Sequence, residues 1–209
     1  MTTLAVWLGA LALYGGFWSW YVGFRPRLTK AEVDDYLARL APEVAVLDGD
    51  AERRDRMRAF LESDDGGEFF MVNLIRLQPE PVRGPGGEPP APAADVLARY
   101  TGPFLRALFR RGGHPALGGR AAAGYLEAWG VEKNPGWSFA GIIRYRSRRD
   151  LIELATAPMF APIHGYKHAG IANTLAFPIA PARLFFSPRV VAALALALAA
   201  SLVTQCVGG

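Results

Sequence analysis

Apolar positions along this chain show two textures. An unbroken apolar run lies towards each end, and between them apolar residues recur with the periods of helices and strands. Leu4 to Phe24 (LAVWLGALALYGGFWSWYVGF) and Val190 to Val207 (VVAALALALAASLVTQCV) contain no Asp, Glu, Lys, Arg or His. A helix rises about 1.5 Å per residue, so about 20 residues cross a hydrocarbon core of about 30 Å. One transmembrane helix is therefore expected at each end, over 4–24 and 190–207.

The middle reads as alternating elements. LTKAEVDDYLARL, from Leu28 to Leu40, has helical spacing, with Thr29 as N-cap and Glu32 as its capping-box partner. A second helix is expected from Ala51 to Leu61, capped by Asp50. Together these make a helical juxtamembrane segment over 25–65. Glu68 to Leu77 (EFFMVNLIRL) is β-rich and bounded by Gly and Pro, so it is expected as a buried strand. The stretch 78–93 is Pro- and Gly-rich and is expected as an exposed loop or lid. Ala94 to Arg111 places Leu97, Tyr100, Phe104 and Leu108 on one stripe, with Gly102-Pro103 as a kink. Gly124 to Val131 and Trp137 to Arg146 are expected as strands joined by a turn at Asn134-Pro135-Gly136. A helix broken at Pro158 and Pro162 follows from Asp150, and Thr174 to Ile179 forms a last strand. The order β-α-β-β-α-β over 66–181 predicts an α+β, ferredoxin-like domain.

Charge adds location. Arg25, Arg27 and Lys30 follow the first run, and Arg183 and Arg189 precede the second. The positive-inside rule then puts the central domain in the cytoplasm and both termini outside. The start lacks a basic n-region, so a retained span is expected in preference to a cleaved signal peptide. A net charge of +4 suits anionic membrane lipids as partners. The ERRDRMR face lacks interleaved stacking aromatics, so nucleic acid is not expected as a partner. Cys206, the single cysteine, excludes an intrachain disulfide and a cysteine metal site. There is no P-loop, dinucleotide glycine fingerprint or Gly-x-Ser-x-Gly elbow, which disfavours ATP, nicotinamide and triad chemistry.

FFMVNLIRL, RRGGHPALGGR and FAGIIRYRSRRDLIELATAPMFAPIH resemble the first strand, the helix-to-strand passage and the later strand and helix of the dimeric α/β-barrel superfamily. The nearest likeness is to a subgroup of uncharacterised domains. The resemblance implies a homodimer whose sheets pair into a barrel. There is also a partial likeness to haem-degrading and antibiotic-biosynthesis monooxygenases, which combine an Asn on the first strand with a Trp and a His on the second helix. Asn73 and the Phe160-to-His164 spacing match, while Leu154 stands at the Trp position. That likeness implies haem as a cofactor and catalytic roles for His164 and Asn73.

The residues themselves allow two readings. His164, Lys167 and His168 share a helix face, which suits a ligand site or simply a polar surface. Asn73, an amide on an apolar strand, either anchors a loop or points into a pocket. Arg76, Arg144 and Arg146 alternate with apolar residues and are candidates to bind a carboxylate, or form an exposed strand face. Tyr100 and Trp137 are candidates for a pocket wall, and His114 for its mouth or for capping a helix. Two functions follow. One is a membrane-anchored protein that binds, and oxidises or isomerises, a small apolar ligand such as haem or an aromatic lipophile. The other is a non-catalytic membrane assembly or accessory subunit.

Overall fold

A computed structural model describes residues 3–45, 51–180 and 187–208. The chain forms two compact units, Met1–Phe24 with Ala182–Gly209, and Arg25–Pro181. The proposed cap Asp50 and the basic Arg183 lie outside the described residues.

The first unit is a pair of packed helices, α1 (Thr3–Tyr21) and α7 (Pro188–Gly208). Both are apolar all round, as expected of helices that do not carry a single buried stripe. Among the described helices, Pro188–Cys206 alone is long and apolar enough to cross a membrane. The expected span at 4–24 is therefore corrected. Its second half, YGGFWSWY, replaces aliphatic side chains with Trp, Tyr, Ser and Gly, which gain little from hydrocarbon. These aromatics pack on one another instead: Phe17 and Tyr21 stack at 5.2 Å, and the Arg189 guanidinium lies 5.8 Å from the Trp18 ring centre.

The second unit contains the sheet. Its strands are β1 (Phe69–Leu77), β2 (His114–Arg120), β3 (Phe139–Tyr145) and β4 (Ile171–Ile179). Their order is β2-β3-β1-β4, and every neighbouring pair is antiparallel. With α4 (Ala93–Arg110) after β1, and α5 (Arg148–Ala155) and α6 (His164–Gly170) after β3, the α+β arrangement is compatible with a ferredoxin-like fold.

The second strand is not where its composition suggests. Residues 124–131 form no regular element, and Tyr125, Leu126 and Trp129 are exposed. HPALGGR, a sequence of poor strand propensity, is the strand instead, because β3 supplies its backbone partners. The register shifts between Pro115 and Leu117, where a bulge accommodates the proline on this edge strand. Phe139 fills the space that Gly118 and Gly141 leave. A side-chain carbon at Gly141 would lie 2.8 Å from the Phe139 ring, and one at Gly118 3.0 Å.

Two cores meet at α5. Phe69, Met71, Ile143 and Tyr145 on one sheet face pack with Tyr100, Phe104 and Leu108 of α4, and with Leu154 and Phe160. On the other side of α5, Ile152 packs with Val33, Tyr36, Leu37 and Leu40 of α2 (Lys30–Ala45) and with Leu61 of α3 (Ala51–Glu62). The segment after the first apolar run thus belongs to the compact unit, and the capping box at its start forms. Thr29 N donates to Glu32 Oε2 at 2.8 Å, and Glu32 N to Thr29 Oγ1 at 3.3 Å.

Candidate functional site

Strand alternation sorts the candidate residues onto two sides of the sheet. Phe69 and Met71 lie under the helices, so Asn73 shares that covered face. Its amide Nδ2 donates to the Met71 carbonyl at 2.9 Å. Phe70, Val72, Leu74 and Arg76 lie on the opposite face, in register with Arg144, Ile142 and Ala140 of β3 and with Ile179, Phe177, Leu175 and Asn173 of β4.

The helix-side candidates gather around Tyr100. Its ring centre is 5.5 Å from that of His164 and 6.0 Å from that of Phe160, and Phe160 lies 6.1 Å from His164. Lys167 places its ammonium 5.6 Å from the Tyr100 ring centre. His168 lies one turn beyond His164 in α6. His164 is thus an aromatic member of a packed cluster, with Nδ1 buried.

The proline-rich stretch runs over the start of α6. Val82 and Ala91 pair through two backbone hydrogen bonds of 2.9 and 3.0 Å, closing the loop at its base. At its tip, Glu88 Oε1 accepts from the Tyr166 hydroxyl and from Arg99 Nη1, each at 2.5 Å. The Tyr166 hydrogen bond holds the Glu88 carboxyl below the usual carboxylate range. Prolines make this loop inexpensive to order, because their φ is already fixed.

The strand arginines differ in what they hold. Arg144 is buried, with its guanidinium bonded to Glu68 Oε2 at 2.7 Å and to the Gly112 carbonyl at 2.7 Å. It ties the start of β1 to the turn after α4. His114 opens β2 opposite Arg144, and its Nδ1 lies 2.9 Å from the Pro115 carbonyl. Trp137 donates to the Tyr125 hydroxyl at 3.0 Å, pinning the long β2–β3 connection. Arg76 donates to Asn173 Oδ1 across the β1–β4 pair at 3.4 Å.

Three further arginines hold fixed partners, the first of them, Arg146, also an alternating candidate. Arg146 bonds both Asp150 carboxylate oxygens, at 3.0 and 2.9 Å. Arg148 donates to the Phe60 carbonyl and to Ser63 Oγ. Arg149 reaches the carbonyls of Pro26 and Arg27 and both oxygens of Glu32. The run of arginines before α5 hints at such anchors, but their partners are more than 80 residues away in the last two cases.

The uncovered face of the sheet is the feature these anchors leave open. Leu117 is 66% exposed, Leu175 48% and Phe177 45%, beside Val72, Leu74 and Ile142. A separate groove of about 470 Å³ lies in the helical unit, along Leu11, Tyr14, Gly15, Trp18 and Ser19, but it gathers none of the candidate residues.

The fold has solved counterparts. Crystal structures of a protein of unknown function from Rhodopseudomonas palustris are similar to this chain. One matches with a TM-score of 0.50 at 21% identity, over 66% of this chain and 97% of that one. A methylated form of the protein matches with a TM-score of 0.51 at 23% identity, over 66% and 96%. At this identity the likeness concerns the fold alone. No family model and no curated protein matches the chain.

Proposed function

We propose that this chain is a membrane-anchored, dimeric α/β-barrel protein that binds a small apolar ligand between two paired sheets. The carrying observation is the uncovered apolar face built from Val72, Leu74, Ile142, Leu117, Leu175 and Phe177. Apolar surface of this kind in one patch gains roughly 25 cal/mol per Å² when covered, and marks an interaction site. A second copy offers the same face, so a two-fold pairing is self-complementary. Two such sheets enclose an apolar interior suited to an aromatic lipophile.

The helix α7 serves as the anchor, with Trp18, Trp20 and Tyr21 of α1 suited to the headgroup level. Arg189, at the start of α7, supports a cytoplasmic central domain with the chain crossing the membrane once. Binding is the activity this reading claims. The engagement of Asn73 with Met71 favours, as the second reading, a non-catalytic assembly subunit.

The test is the mass of the full chain in a neutral detergent, by light scattering coupled to size exclusion. Wild type is expected as a dimer and Phe177→Asp as a folded monomer. A wild-type monomer throughout the accessible concentration range would refute sheet pairing.

A further inference from the structure

The proposed apolar ligand has a chemical class, and the charge of the sheet indicates it. None of the four strands contains an Asp or a Glu, whereas Arg76, His114, Arg120 and Arg144 lie on them. The uncovered face therefore carries Arg76, His114 and Arg144 around an apolar middle, while the register puts Arg120 on the helix side. Its cations are not equivalent. Arg144 is spent on Glu68 and the Gly112 carbonyl, and it is 1% exposed. His114 sits beside it at the same end of the face.

Arg76 stands at the other end, six residues along β1 from buried Phe70, or about 20 Å away at the rise of a strand. Among the described residues no carboxylate pairs with it, and its hydrogen-bonding partner is a neutral amide, Asn173 Oδ1, at 3.4 Å. That bond engages one Nη and leaves most of the guanidinium fork available. Gly136 of the β2–β3 connection lies alongside this guanidinium: a side-chain carbon there would stand 4.0 Å from Arg76 Nε.

We infer that the ligand is a lipophilic anion, an apolar body lying along Val72, Leu74, Leu175 and Phe177 with a carboxylate-like head on Arg76, positioned by Asn173. The inference rests on the apolar-ligand reading of this face. A planar carboxylate matches the guanidinium fork, and an anion meets no like charge anywhere on the strands. An apolar cation would meet like charge at Arg76.

The experiment uses the full chain in a neutral detergent and two fluorescent probes of equal shape, 9-anthracenecarboxylate and 9-anthracenemethanol. Wild type is expected to bind both, the carboxylate about tenfold tighter or more. Arg76→Gln should erase that preference while still binding the alcohol, which doubles as the control for folding. High salt should weaken carboxylate binding to wild type and leave the alcohol unchanged. Equal binding of the two probes by wild type, or a preference that survives Arg76→Gln, overturns the anionic class and leaves the apolar reading standing. Binding of neither probe overturns the apolar reading, and the inference with it.

Discussion

Pro85 rests directly on Gly165: a side-chain carbon at Gly165 would lie 2.8 Å from Pro85 Cβ and 2.9 Å from Cγ. The contact joins the tip of the proline-rich loop to the first turn of α6, one residue after His164. On the other side of the tip, a side chain at Gly84 would come within 2.7 Å of the Tyr166 ring. Loop and helix are therefore fitted to each other by two glycines facing two ring systems. Glu88 locks the fit through Tyr166 and Arg99.

Gly165→Ala should lift this loop. Overpacking of this kind costs about 1–3 kcal/mol, partly offset by the better helix propensity of alanine. Hydrogen exchange of the peptide covering 79–91 should speed up, with the strands unaffected. Unchanged protection there would show that the loop is held by Glu88 and the Val82–Ala91 pair alone.

Arg144→Met should destabilise the domain by about 3 kcal/mol or more, since it leaves Glu68 and the Gly112 carbonyl without their shared donor. Chemical denaturation in one detergent, run beside Glu68→Gln and the double variant, measures the coupling. If the two single changes simply add, the pair is not acting as a unit.

The link between Arg149 and Glu32 should show in the pH dependence of stability. The Arg149 side-chain hydrogen bonds and the Thr29 backbone hydrogen bond bring the Glu32 carboxyl from 4.5 to about 2. A carboxyl with a depressed folded pKa contributes stability above its unfolded value, and loses it as pH falls through the folded one. The difference in stability between wild type and Glu32→Gln is thus full at neutral pH and fades from about 4.5 to about 2. Glu32 is 38% exposed, so solvent screens the pair and the effect is modest. Equal pH profiles for the two proteins would contradict the assignment.

How far the chain could be read in advance depended on the range of each interaction. The capping box of Thr29 and Glu32 spans three residues, so its spacing was sufficient. So was the stripe of Tyr100, Phe104 and Leu108, because helical periodicity reports a buried face directly. The β2 strand defied its composition, since Gly118 and Gly119 acquire a strand conformation from β3 and not from themselves. Tyr125, Leu126 and Trp129 looked like strand residues for the converse reason: they have propensity but no pairing partner in the sheet.

By itself, then, the sequence determined the helices, the strands β1, β3 and β4, the two apolar ends and the α+β order, because these follow from nearest-neighbour sterics and from the period of apolar positions. The tertiary structure decided which charges are spent and which remain. The arginines at 76, 144, 146, 148 and 149 have the same side-chain chemistry, yet four make two or more hydrogen bonds and Arg76 holds a single amide. The long-range partners lie from 32 to 123 residues away, and their pairing depends on how the elements pack. It also decided the faces. Asn73 went under the helices and Arg76 onto the open side, since successive side chains of a strand alternate and the core claims one set.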